Sequence, residues 1–292
     1  MKCLNVLMMS VLLLVSTIVN AASVGVVDGL QAPAWLVRDG RSQPLAVGTP
    51  LQNNDRIETG KKARVLLTLN EGSHVKLGEN ATFDMNNMEP NAANNTFKGL
   101  LNIVKGAFRF TTGLIEKQTA KREIDVRFGT ITAGIRGTDI WGIVDDKKDL
   151  VALIEGKIDV SHTNGTTDHL TEPLQVFTAN KNEAPSAVSK VDVPTVTTLA
   201  KETDFVDNTG VTKTNGAWRV NMGFYKQKSD AEIAQSKYQS LGYNVKLAKR
   251  DARGARRYQI YLDNFATEAE AKGAKNGLIE NFGLEVARVV KS

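Results

Sequence analysis

The sequence predicts two domains of different class. Residues 24–180 read as all-β, a roll, sandwich or solenoid, and residues 217–292 as α+β in the order βαββαβ. Two observations carry this. Short runs of alternating apolar residues, separated by glycines, fill the first region. In the second, the pattern of 218-WRVNMGFYKQKSDAEIAQ-235 returns as 258-YQIYLDNFATEAEAKG-273.

The chain opens with Lys2 and an apolar run from Val6 to Val19, broken by Ser10, Ser16 and Thr17. Val19-Asn20-Ala21 fits the small-x-small cleavage pattern, so residues 1–21 read as a cleaved signal peptide. The run is short for a membrane span, which needs about 20 apolar residues. Cys3 is the only cysteine and would leave with that peptide. The mature chain is then exported without disulfides and holds itself by burial alone. A soluble periplasmic protein with no transmembrane segment is the expectation.

Within 24–180, Ala63, Val65, Leu67 and Leu69 share one face of 63-ARVLLTL-69. Ile124, Val126 and Phe128 alternate with Glu123, Asp125 and Arg127, and Phe108/Phe110 and Ile158/Val160 repeat the period of two. No amphipathic helix of three turns is visible. Residues 181–216 are rich in Thr, Asn, Lys and Ser without a sustained period, and read as a linker with one short helix over 197–204.

Each half of 217–292 reads strand, helix, strand. Val220 and Met222 alternate with Arg219 and Asn221. Ser229-Asp230-Ala231-Glu232 reads as a capping box, in which the Ser side chain and the Glu side chain satisfy each other's free backbone N–H. Ala231, Ala234, Tyr238 and Leu241 follow at helical spacing, and Gly242 ends the helix. Tyr243–Lys249 is the second strand. The second half repeats this with Tyr258, Ile260 and Leu262, the box Thr267-Glu268-Ala269-Glu270, the stripe Ala271, Ala274 and Leu278, and Gly283, then a strand over 284–290. A βαββαβ chain forms a ferredoxin-like split βαβ, both helices on one face of an antiparallel sheet. Arg219, Asn221, Arg257, Gln259 and Tyr261 then line a sheet face that no element of this segment covers.

Charge divides unevenly. The whole chain carries +5, residues 23–216 carry −2 and residues 217–292 carry +6. An anionic or polymeric partner suits the C-terminal part. Lys246, Lys249, Arg250, Arg253, Arg256 and Arg257 surround its predicted hairpin.

The C-terminal segment resembles a SPOR domain. Its two half-patterns, roughly Val-Gln-Val-Gly-Ser-Phe and Tyr-Arg-Val-x-Val-Gly-Pro-Phe, stand here as Val220–Tyr225 and Tyr258–Phe265. Asn221 replaces a frequent Gln, Phe224 a small Ser, and Asp263-Asn264 the Gly-Pro. The resemblance implies binding to peptidoglycan glycan strands stripped of stem peptides, which accumulate at division septa. The implied contacts are Asn221, Phe224, Arg257, Gln259 and Tyr261, with envelope or divisome proteins as further partners. Amides and guanidinium groups hydrogen-bond sugar hydroxyls, and aromatic rings cover a sugar face.

Residues 24–165 resemble a FecR-type periplasmic domain, carried by 54-NDRIETG-60, 63-ARVLLTLNEGSHVKLGEN-80, 153-LIEGKIDV-160 and above all 134-GIRGTD-139. Well-known members couple it to a membrane helix and a segment controlling a sigma factor; this chain reads as having neither. A binding or scaffold role is implied, with envelope signalling as the alternative. Arg136 reads as structural, holding a tight turn.

Catalysis has little footing. His162 and His169 with Asp168 match no zinc spacing. No mature cysteine, Gly-x-Ser-x-Gly or phosphate-cradling loop is present, and Asp145-Asp146 lie in a polar turn. The expectation is a non-enzyme without cofactor or metal. A nucleic-acid module of the same topology is disfavoured by the signal peptide and by the missing RNA-binding aromatic signature.

Overall fold

A computed structural model describes residues 22–91, 96–113, 121–252 and 255–292. The expected signal peptide lies outside them. The first domain begins with β1 (Gly25–Gln31), β2 (Ala34–Arg38), β3 (Arg41–Pro44), β4 (Pro50–Leu51) and β5 (Arg56–Thr59). β6 (Arg64–Leu69), β7 (His74–Leu77), β8 (Thr82–Asn91) and the long β9 (Thr96–Thr111) follow. β10 (Lys121–Phe128), β11 (Ile131–Ile135), β12 (Asp139–Val144) and β13 (Lys148–Glu155) come next. β14 (Ile158–His162), β15 (Thr167–Leu170) and β16 (Gln175–Asn180) complete it.

These strands form two sheets that share β9. One runs β4-β1-β6-β7-β9-β12-β13-β16. The other runs β3-β2-β5-β8-β9-β10-β11-β14-β15. Only β9–β10 is parallel among these pairs. The alternating residues read from the sequence point into one core, Val65, Leu67 and Leu69 from the first sheet and Ile124, Val126 and Phe128 from the second, while Ala63 is buried just before β6. Burying each large side chain contributes about 1.5–3 kcal/mol. Of the three expected architectures, the structure is a roll-like sandwich: two antiparallel faces close over one core, rather than parallel rungs stacking as in a solenoid.

The corner at 134-GIRGTD-139 is held differently from expectation. Arg136 is exposed and makes no hydrogen bond among the described residues. Thr138 exchanges bonds with Thr112, and buried Asp139 takes a two-pronged contact from Arg109 at 2.9 and 2.6 Å. Gly137 has φ of 79°, and a Cβ on Gly156 would lie 2.7 Å from the Gly137 carbonyl, so backbone contact closes the turn.

Residues 181–216 hold three ordered elements rather than one helix in a featureless linker. β17 (Ser189–Lys190) pairs with β16. α1 (Val193–Lys201) starts earlier than the predicted 197–204, because the Asp192 side chain accepts the Thr195 N–H and Pro194 sits in the first turn. β18 (Val211–Lys213) pairs with β1 over three residues and meets the second domain at Thr212 opposite Phe265.

The second domain has the expected order: β19 (Trp218–Tyr225), α2 (Lys228–Ser240), β20 (Lys246–Ala252), β21 (Ala255–Phe265), α3 (Glu268–Phe282) and β22 (Arg288–Lys291). The antiparallel sheet runs β20-β21-β19-β22. Val220, Met222, Ile260, Leu262, Ala231, Tyr238, Ala271 and Leu278 form its core. Leu241, expected in the α2 stripe, is instead 39% exposed beyond the last helical turn. The first capping box does not form. α2 begins at Lys228, and Glu232 pairs with Lys228 at 2.6 Å instead of returning to Ser229. The second forms by half. Thr267 accepts the Glu270 N–H at 3.2 Å, while the Glu270 carboxylate turns to β18 and accepts the N–H groups of Asn208, Thr209, Gly210 and Val211.

The domains therefore touch. The end of α2 lies on the β1–β2 corner, where Ala34 N–H donates to the Gly242 carbonyl at 3.1 Å and Trp35 Nε1 to Ser240 at 3.4 Å. A Cβ on Gly242 would lie 2.7 Å from the Trp35 ring.

Candidate functional site

The helices cover one face of the second sheet and leave the other open. Register places Asn221 opposite Tyr261, Phe224 opposite Gln259, and Arg250 opposite Arg257 on that open face. Asn221 and Phe224 are three residues apart, so a regular strand would point them to opposite faces. A bulge between Asn221 and Gly223 corrects this: Met222 enters the core, and Phe224 returns to the open side. Phe224 is 59% exposed.

The face is basic and ordered by local contacts. Arg219 lies with its guanidinium carbon 4.8 Å from the Tyr261 ring centroid, which fixes both side chains. Arg250 Nε donates to Gln259 Oε1 at 3.1 Å. Lys246 is paired with Asp263 at 2.8 Å. Asn264, at φ of 67°, occupies the left-handed region that asparagine tolerates, one residue before Phe265 pairs with Trp218 and Thr212.

The expected site residues thus fall together, with one correction. Gln259 is not a surface contact: it is 3% exposed and committed to Arg250. Alternation gives its face but not the long side chain laid over it. Asn221 is half-buried, and its Oδ1 is shielded from solvent without a hydrogen-bond donor among the described residues. Arg250, read only as part of a basic hairpin, joins the face; its register with Arg257 across a tight hairpin is the signal that finds it. Arg253 lies outside the described residues.

The other candidates have structural duties. His169 Nδ1 contacts Asp159 at 2.6 Å on the β14–β15 hairpin, and His162 accepts the Asn164 N–H in its turn. Among the described residues, no three His, Cys, Asp or Glu side chains gather to hold a metal. Burial pushes the Asp145 carboxyl up, but the N–H groups of Lys148 and Lys147 outweigh it, so its pKa lies below the usual range. No described helix is long and apolar enough to cross a membrane.

Two family models match this chain. Residues 55–159 match the FecR protein family, and residues 214–283 match the SPOR domain. No curated protein matches. Two crystal structures of a candidate anti-sigma factor from Parabacteroides distasonis ATCC 8503 are similar over part of the chain. One, at 13% identity and a TM-score of 0.40, covers 69% of this chain and 96% of its own. The other, at 15% identity and 0.40, covers 81% and 97%. The chain carries a FecR domain followed by a SPOR domain.

Proposed function

We propose that the protein works in the bacterial periplasm as a non-enzymatic peptidoglycan-binding protein whose SPOR domain grips glycan strands lacking stem peptides. The supporting observation is the open face itself. It combines an exposed aromatic ring, Phe224, the half-buried amide of Asn221, and the cations Arg219, Arg250 and Arg257 within one four-stranded platform. An aromatic ring covers the apolar side of a sugar, amides engage its hydroxyl and acetamido groups, and guanidinium groups take a sugar carboxylate. Phe224, Asn221, Arg257 and Tyr261 are the contacts; Gln259 acts behind them by holding Arg250.

The test is co-sedimentation of the mature chain with amidase-treated and untreated sacculi. Treated sacculi should pellet the protein, and Phe224→Ala with Arg257→Glu should lower the bound fraction at least about tenfold at unchanged melting temperature. Equal pelleting by the variant would move the site off this face. Septal localisation is read separately, from a fluorescent fusion beside one ending near Asn182.

A second reading is envelope signalling through the first domain. The FecR match over residues 55–159 favours it. The β18 contact supplies a path by which glycan engagement reaches β1. A partner captured by the full chain only when glycan is present would support this reading.

A further inference from the structure

Between the two domains lies a cleft of about 1070 Å³, lined from the SPOR side by α3 and by the Leu262–Phe265 end of β21. Its walls are the β1–β2 corner and the Lys61–Arg64 turn on one side, and Tyr243, Asn264 and α3 on the other. Val206, Asn208, Thr209, Gly210 and Thr212 also line it. This size holds a ligand of several rings.

The lining has a distinct chemistry. Asn208, Asn244, Asn264, Asn276 and Asn281 all border the cleft, and none of their side chains makes a hydrogen bond among the described residues. Each offers one acceptor oxygen and two donor hydrogens. Tyr243 and Phe282 stand edge to face there, 5.7 Å between centroids. Lys61, Lys62 and Arg64 on one side stand with Glu79, and Asp263 and Glu280 line the other, so the charges of the lining balance.

Gly277 adds an independent sign. A glycine inside a helix costs about 1 kcal/mol relative to alanine. Gly273, one turn earlier, has a packing reason, since its Cβ would overlap the Asn208 carbonyl at 1.9 Å. Gly277 has none: its Cβ would meet nothing within 4 Å. It leaves bare backbone at the cleft wall, where a ring can approach closely.

We infer that this cleft is a second carbohydrate site, which takes an oligosaccharide of N-acetylated sugars. Neutral amides complement hydroxyl and acetamido groups, the aromatic pair covers a sugar face, and a lining of balanced charge suits a neutral sugar. A peptide adding itself as a strand is a poorer occupant, because β4 and β18 already fill the free edge of β1. The site is separate from the open face and stands whether or not that face binds glycan.

The probe is the β-1,4-linked tetramer of N-acetylglucosamine, titrated calorimetrically into the mature full chain. The background carries Phe224→Ala and Arg257→Glu, so that open-face binding does not contribute. Saturable binding is expected, weakened at least about tenfold by Gly277→Leu and severalfold by Asn281→Ala. Gly277→Leu should not lower the melting temperature, since leucine has the better helix propensity and the space is empty. Absence of saturable binding up to about 10 mM overturns the site, as does binding indifferent to both substitutions. Failure of the sacculus assay alone overturns only the open face.

Discussion

Glu270 Oε2 accepts the backbone N–H of Val211 at 2.8 Å. Through this bond and three like it, a side chain at the start of α3 holds the strand that joins the FecR and SPOR domains. Four N–H donors converge on one carboxylate, which is 7% exposed. Hydrogen bonds to a charged acceptor are roughly twice as strong as neutral ones.

Glu270→Ala leaves those donors facing a gap. The expected loss is about 2–4 kcal/mol, since the buried donors Gly210 and Val211 without an acceptor bear their desolvation cost. Glu270→Gln keeps the shape and one acceptor oxygen, and should lose less. Chemical denaturation of the full chain measures both, with hydrogen exchange at residues 208–211 as the local readout.

Gly242 should not tolerate a side chain. Its φ is 83°, and a Cβ would press on Trp35 and on Pro33. Gly242→Ala is expected to cost about 2–4 kcal/mol, from backbone strain together with overpacking. The damage falls on the domain junction. Calorimetry should then resolve two transitions, and small-angle scattering should report a larger radius of gyration.

Glu202 sets a pH dependence. Burial pushes its carboxyl pKa above the ordinary 4.5, and Glu79 adds to this against the pull of Arg64. A raised pKa means that ionisation costs more in the folded chain than in the unfolded one. Its contribution to stability therefore falls as pH rises from 4.5 through the raised value. Glu202→Gln should melt higher than the parent chain at pH 7 and coincide with it below 4.5. Paired melts across this range check the sign, because the other carboxylates are common to both proteins.

Much of the fold was legible where local signals and burial agree. The period of two in 63-ARVLLTL-69 and in Ile124, Val126 and Phe128 reports faces that bury in one core. Gly242 and Gly283 end their helices as read. The misses occur where a distant or competing partner decides. Val211–Lys213 is a strand only because β1 and β21 lie beside it, and three residues carry no period of their own. Ser229 lost its cap to a Lys228–Glu232 pair that starts the helix earlier. Gln259 was placed on the right face, but Arg250 covers it, and side-chain cover has no sequence period. Phe224 reached the open face through a bulge that alternation alone would have denied it.

A loose spacer between two binding modules lets each search for its ligand separately, at an effective concentration that declines with spacer length. β18 removes that search, since it is bonded to one domain along an edge and to the other at its end. The two domains are thereby held at one spacing, so that under the proposed function two ligands, or two points on one ligand, would be gripped together only at a separation that matches it.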